Sequence, residues 1–191
     1  LELSPFFYHR LIRPRWINQI YIHNRIKRKL QLYNKKVLDF GAGTGANCTL
    51  CKPGQYIGID PDVKRIDFAK KCYPDYDFEV FRNDQFTFKR NSIDVILIIA
   101  VLHHIPPQKI RNYVKQFQKI LTPGGIIAAI EPCFFEKNKI CNWYMEKNDN
   151  GSYIQNEKGY HDLFEQAGFR CETIKTFRKF FLYQELFFIA Y

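Results

Sequence analysis

The feature that most constrains this chain is a short apolar run, Val37-Leu38, that delivers an acid, Asp39, into a turn with glycines at 41, 43 and 45. Glycine admits positive φ and lets a ligand approach the main chain closely. A helix opening after such a turn presents unpaired N–H groups that suit a carboxylate or phosphate. In an open α/β sheet this is the carboxyl edge, where ligands bind. A dinucleotide fingerprint would read G-x-G-x-x-G. Here the loop reads G-x-G-x-G with the acid two residues ahead of it, a spacing wrong for a pyrophosphate. A second acid, Asp60, closes the next strand-like run, where it can accept both hydroxyls of a ribose.

Around this loop the chain alternates strand-like and helix-like blocks, as parallel α/β sheets do. Pro14 and the helical spacing of Trp16, Ile20, Ile26, Leu30 and Tyr33 predict a helix over 15–33. Strands are predicted at Lys36–Phe40, Gln55–Ile59 and Asp77–Phe81, with a short helix from about Ala46 and another over Val63–Cys72. Ile93–Val101 is almost uninterruptedly apolar, as a strand buried on both faces requires. Helix 107–121 carries an apolar stripe. A Pro123-Gly124-Gly125 turn then leads to strand Ile126–Glu131. Residues 132–156 read as an irregular excursion, and helix 157–167 stops at Gly168. Runs Arg170–Phe177 and Tyr183–Tyr191 are too close for a crossover helix, so they pair antiparallel. The expected fold is a doubly wound, Rossmann-like α/β sheet of about seven strands. It is mostly parallel with the last strand antiparallel, and helices cover both faces.

A length of 191 residues with 46% apolar content suits a single domain with a full core. Within it, 1–34 forms a basic helical cap, 35–131 the ligand-binding core, 132–156 an excursion on the acceptor side and 157–191 a closing helix and strand pair. Nothing approaches a membrane span of roughly 20 apolar residues, and Leu1–Pro5 does not open a secretory signal. Six scattered cysteines fit reduced thiols in a cytoplasmic protein. Cys48 and Cys51 form one C-x-x-C without a second pair, so no metal site is expected. The net charge is +10, and residues 1–36 hold nine Lys/Arg against one acid. That patch is a solvated helix face or a contact for RNA or an anionic surface through residues 10–36.

Taken together, the motifs resemble class I S-adenosylmethionine-dependent methyltransferases, in their small bacterial form. Val37–Gly45 resembles the family's first motif and Ile57-Gly58-Ile59-Asp60-Pro61 its second. Ser92–Ile96 through Val101–Ile105 resembles the fourth-strand motif, and Leu121–Gly125 the turn before the fifth strand. The segment Asp149–Ile154 is similar to a subset of small bacterial members, some of them associated with glycan or lipid pathways. The resemblance implies S-adenosyl-L-methionine as cofactor. Asp39 with the Gly41, Ala42 and Gly43 backbone would hold the methionyl amino and carboxylate groups, Asp60 the ribose, and Pro61 would lie against the adenine. Asn83 or Asp84 would meet the adenine amino group, although Arg82 holds the ungapped position. Ala100 would complete the cofactor set.

Methyl transfer from a sulfonium is an in-line displacement, so the main task is to hold the acceptor close and aligned. A general base is needed only where the acceptor must lose a proton. His103 and His104 are the candidate catalytic residues, with shaping of the loop as the alternative role. Absence of an Asn/Asp-Pro-Pro-Tyr motif after the fourth strand argues against exocyclic amines of nucleic-acid bases. Tyr8, Phe134, Trp143 and Tyr153 are the candidate acceptor pocket, where aromatics suit an apolar or planar molecule. The expected activity is methyl transfer to a small or apolar acceptor. The alternatives are an RNA or protein methyltransferase docking through the basic helix, and a noncatalytic cofactor-binding subunit.

Overall fold

The computed structural model describes residues 19–179 and 181–191. They fall into two compact units. The first runs to Thr87 and includes Ile93–Val95; the second comprises Phe88–Ser92 and Ile96–Tyr191.

In the first unit a π-helical turn, Gln19–His23, continues into α1 (Asn24–Lys29). Strand β1 (Val37–Phe40), a 3-10 turn (Cys48–Leu50), β2 (Tyr56–Asp60), α2 (Val63–Cys72) and β3 (Asp77–Val80) follow. β1 pairs parallel with β2, Asp39 opposite Gly58, and β2 pairs parallel with β3, Asp60 opposite Val80. All four residues of β1 are buried, as a strand covered on both faces must be. Gly58 is required by packing: a Cβ there would stand 2.7 Å from the Phe78 ring and 2.9 Å from the Ala42 Cβ. Its bare backbone lets the glycine turn settle on β2.

Strand β4 (Ile93–Ile99) contributes its start to the first unit and its remainder to the second. The second unit continues with a 3-10 turn (Leu102–His104), α3 (Pro107–Ile120), β5 (Leu121–Phe134), α4 (Lys139–Asn148) and β6 (Gln155–Asn156). It ends with α5 (Glu157–Glu165), β7 (Cys171–Lys179) and β8 (Tyr183–Ala190). The strand order is β3-β2-β1 in the first unit and β4-β5-β8-β7 in the second, with β6 beside β5. β8 runs antiparallel to both β5 and β7, and β6 is parallel to β5. α3 buries Ile110, Tyr113, Val114, Phe117 and Ile120 along one stripe. Each such side chain contributes about 1.5–3 kcal/mol when removed from water. This is the mixed, mostly parallel α/β sheet expected, with the last strand reversed.

Three elements differ from the expectation. The first helix stops at Lys29, because Leu30 turns extended (φ −115, ψ 130) and buries its side chain. Residues 15–18 of that predicted helix lie outside the described residues. β5 starts at Leu121 and carries Pro123-Gly124-Gly125 within it, Gly124 at φ +77. The 132–156 excursion is not irregular: it holds the end of β5, the ten-residue α4 and β6, which brings the strand count among the described residues to eight. Among the described residues, no helix is long and apolar enough to cross a membrane.

Candidate functional site

Asp39 stands near the carboxyl end of β1 with its side chain fully buried. Its Oδ2 accepts from the Tyr56 hydroxyl at 2.6 Å and from Asn47 Nδ2 at 3.1 Å. Asn47 Oδ1 in turn lies 3.3 Å from His23 Nε2. Burial pushes the His23 pKa down against the Asn47 hydrogen bond, and Lys27 lowers it further. A neutral ring with its proton on Nε2 therefore donates to Asn47, which fixes that amide with its NH₂ toward Asp39. Burial and the Asp39 charge push the Tyr56 hydroxyl well above its ordinary value, so it stays a donor. The carboxylate is thus oriented by a relay from the N-terminal helical segment.

The glycine turn folds back on β2. Gly41 N and Ala42 N both donate to Ile59 O, at 2.8 and 3.0 Å. Gly43 N donates to Asp60 Oδ2 at 2.9 Å, and Asp62 N to Asp60 Oδ1 at 2.9 Å. Gly41 and Gly43 have φ of +80 and +55, which a side chain would strain. A Cβ on Gly43 would meet nothing within 4 Å, so open space adjoins that backbone. Burial raises the Asp60 pKa, opposed by the two amides and by Arg65. Pro61 follows it with an exposed ring. Phe81 N donates to Asp60 O at 3.0 Å, so the segment after β3 leaves from beside Asp60. Asn83 and Asp84 are exposed and consecutively left-handed, at φ +57 and +54. The first unit thereby gathers Asp39, Gly41, Ala42, Gly43, Asp60 and Pro61 at one sheet edge.

In the second unit Ala100 follows β4 at φ +55, a conformation costing about 1–2 kcal/mol for a residue with a Cβ. The turn after it is held by Glu131, a fully buried carboxylate on β5. Glu131 Oε1 accepts from Val101 N at 2.8 Å and Leu102 N at 3.0 Å, and Oε2 accepts from His103 Nδ1 at 2.7 Å. His103 Nε2 faces Asp149 Oδ1 at 3.5 Å. Burial alone would lower the His103 pKa, but the Glu131 hydrogen bond and the charges of Glu131, Asp149 and Glu185 raise it. His103 is therefore a buried ring held between two carboxyl side chains that favour its protonated form. His104 is exposed, its ring 4.0 Å from that of His103. Tyr153 N donates to His103 O at 2.9 Å, which places that expected pocket residue beside the histidine turn. Phe134 lines a groove of about 400 Å³ with Phe135, Asn156 and Glu157. Trp143 faces solvent on α4. Tyr8 lies outside the described residues. Glu131, Asn47, Tyr56 and Asp149 were not singled out as site residues. Only Glu131 had a readable signal, an acid closing an apolar strand as Asp39 and Asp60 do.

Among the described residues no group of three or more His, Cys, Asp or Glu is placed to hold a metal ion. Residues 15–174 match the family model described as a methyltransferase domain. An uncharacterized methyltransferase of Oceanobacillus iheyensis is 33% identical over 135 residues, covering 68% of this chain and 58% of that protein. A tRNA N(3)-cytidine methyltransferase of Danio rerio is 25% identical over 157 residues, covering 70% and 44%. The chain spans about half the length of these curated relatives. The crystal structure of a SAM-dependent methyltransferase from Archaeoglobus fulgidus matches with a TM-score of 0.73 at 16% identity, over 99% of each chain. That likeness fixes the fold as Rossmann-like. This chain belongs to the methyltransferase domain family.

Proposed function

We propose that this chain transfers a methyl group from S-adenosylmethionine to a small or apolar acceptor. The observation that carries the reading is the Gly43–Asp60 hydrogen bond, which sets a bare, left-handed backbone with open space beside a buried carboxylate. Asp39, oriented by Tyr56 and Asn47, serves the cationic amino group, while Gly41, Ala42 and Gly43 present main chain to the carboxylate. Asp60 keeps lone pairs for the ribose hydroxyls, since among the described residues each oxygen receives one amide. Pro61 and either Asn83 or Asp84 take the adenine. When bound, S-adenosylmethionine supplies a methyl already activated on a sulfonium. The protein's part is to align an acceptor and exclude water. His103, clamped between Glu131 and Asp149, shapes its turn; His104, exposed beside it, is the imidazole of the pair assigned to the acceptor. Phe134 and Tyr153 form the apolar side of the acceptor site.

A thermal-shift series with S-adenosylmethionine, its demethylated product and NAD tests this. At 100 times its Kd a ligand stabilises the native state by about 2.7 kcal/mol. The methyl donor and its product raise Tm, and NAD does not. Gly43→Val and Asp60→Ala each suppress the shift. Full affinity in both variants, or a shift with NAD alone, overturns the reading.

A second reading, RNA as the acceptor, draws on exposed Lys27, Arg28 and Lys29 and on the similarity to a tRNA methyltransferase. Arg25 does not belong to that surface, because its guanidinium donates to Ile20 O and Tyr21 O. A steep fall of RNA affinity with salt marks this reading. The six free cysteines support a reducing, cytoplasmic setting.

A further inference from the structure

Helix α4 carries apolar side chains on its outer face as well as its inner one. Cys141 and Met145 turn inward, while the outer stripe carries Ile140, 73% exposed, and Trp143, 60% exposed. The same part of the second unit exposes the tip of the β7–β8 hairpin, with Phe181 at 91% and Leu182 at 37%. The helix start and the hairpin are fastened together. Asn138 Nδ2 donates to Gln184 Oε1 at 2.6 Å, Arg178 Nη2 to Asn138 Oδ1 at 3.3 Å, and Gln184 N to Met145 Sδ at 3.3 Å. Register pairs Lys179 with Tyr183, so Phe181 and Leu182 sit at the turn itself. Single exposed apolar residues are ordinary, but four of them on two elements fastened to each other point to a contact surface.

Charge decides what the surface fits. Lys137, Lys139, Lys147, Lys175 and Arg178 are exposed around it, and no acid lies between residues 175 and 183. The exposed acids of these segments, Glu136, Glu146 and Glu172, leave the excess positive. Protein interfaces as a whole are depleted in lysine relative to the rest of the surface. Lysine-rich rims around Trp, Phe and Leu suit lipid instead, since the long stems lie along acyl chains while the ammonium groups reach headgroups. Tryptophan prefers that boundary for the same reason.

We infer that α4 and the β7–β8 hairpin tip form an interfacial surface that docks on an anionic lipid bilayer. Ile140, Trp143, Phe181 and Leu182 enter the headgroup–acyl boundary, and the surrounding lysines and Arg178 pair with lipid phosphates. Docking of this kind needs no spanning helix and no assumption about the reaction.

Vesicle flotation of the full chain tests it, with phosphatidylcholine alone or with about one third phosphatidylglycerol. The chain floats with the anionic vesicles, and partitioning falls roughly tenfold or more as salt rises above about 0.1 M. In a Trp16→Phe background, Trp143 emission shifts to the blue on binding. The exposed-site variants Trp143→Asp with Phe181→Asp, and Lys137→Gln with Lys139→Gln and Lys147→Gln, each lower partitioning by roughly tenfold. Tm and the S-adenosylmethionine shift, read on the same variants, check that the fold is kept; loss of the donor shift from the wild type would count against the methyl-transfer reading alone. Failure of the wild type to float with anionic vesicles overturns the inference. So does undiminished flotation of the tryptophan–phenylalanine variant, or a solution dimer that this variant breaks.

Discussion

His23 and His103 are both buried, yet their neighbours push them in opposite directions. His23 is held neutral, chiefly by burial, with only an amide as polar partner. The pKa of His103 is raised despite burial, because Glu131 and Asp149 flank its two nitrogens. The consequence for stability follows from proton binding. Below the ordinary histidine pKa of 6.5, the unfolded chain protonates His23 and the folded one does so only at lower pH. That contribution is therefore lost as pH falls below 6.5. For His103 the folded pKa lies above 6.5, so its contribution is present below that value and is lost as pH rises through the folded pKa. Tm measured against pH should rise toward about 6.5 and fall beyond it on account of this pair. His103→Gln should flatten the alkaline limb, and His23→Gln the acid one. An unchanged alkaline limb in His103→Gln would mean that the imidazolium is not held as described.

At the scale of elements, the turn after α4 is fitted to His103 by a missing side chain. A Cβ on Gly151 would overlap the His103 ring and stand 2.8 Å from its carbonyl oxygen. Gly151 N also donates to Asp149 Oδ1 at 2.6 Å, which aims that carboxylate at the imidazole. Gly151→Ala should therefore displace the 149–153 turn and lower stability by about 1–3 kcal/mol, the range for overpacking a tight site. Urea unfolding measures it, and a loss below about 0.5 kcal/mol, the level of an ordinary surface change, would show that the turn yields freely. Elements with a strong local signal were legible in the sequence. α2 spans Val63–Cys72 as its pattern predicts, because Asp62 caps it by accepting from Lys64 N and Arg65 N. α4 was not legible. Asn138, at its start, spends its amide on Gln184 rather than on capping, and apolar residues occur on the outer face as well as the inner. The acids at 39 and 60 could be read from their place after apolar strands. The Tyr56–Asn47–His23 relay could not, since it joins residues whose only common property is where the fold puts them.

For the whole molecule, the six thiols report on both units, with Cys48, Cys51 and Cys72 in the first and Cys133, Cys141 and Cys171 in the second. Cys72 is exposed and should react at once with a thiol reagent. Burial pushes the thiols of Cys51, Cys133 and Cys171 up to about 12, so little thiolate is present near neutral pH and they react slowly. Cys48 is fully buried and labels only when the first unit opens. Asp39 adds to the shift of Cys51, so that thiol senses the carboxylate assigned to the methyl donor. A donor gripped by the first unit binds its closed form and not its open one. At 100 times Kd it should slow labelling of Cys48 about 100-fold where opening is fast and reversible, the rate equivalent of about 2.7 kcal/mol. Mass spectrometry of alkylated peptides resolves each site. Cys72 serves as the internal standard, since an exposed thiol labels at the same rate with and without donor. Equal labelling of Cys48 in both conditions, with binding shown independently, would place the donor somewhere other than the turn between Asp39 and Asp60.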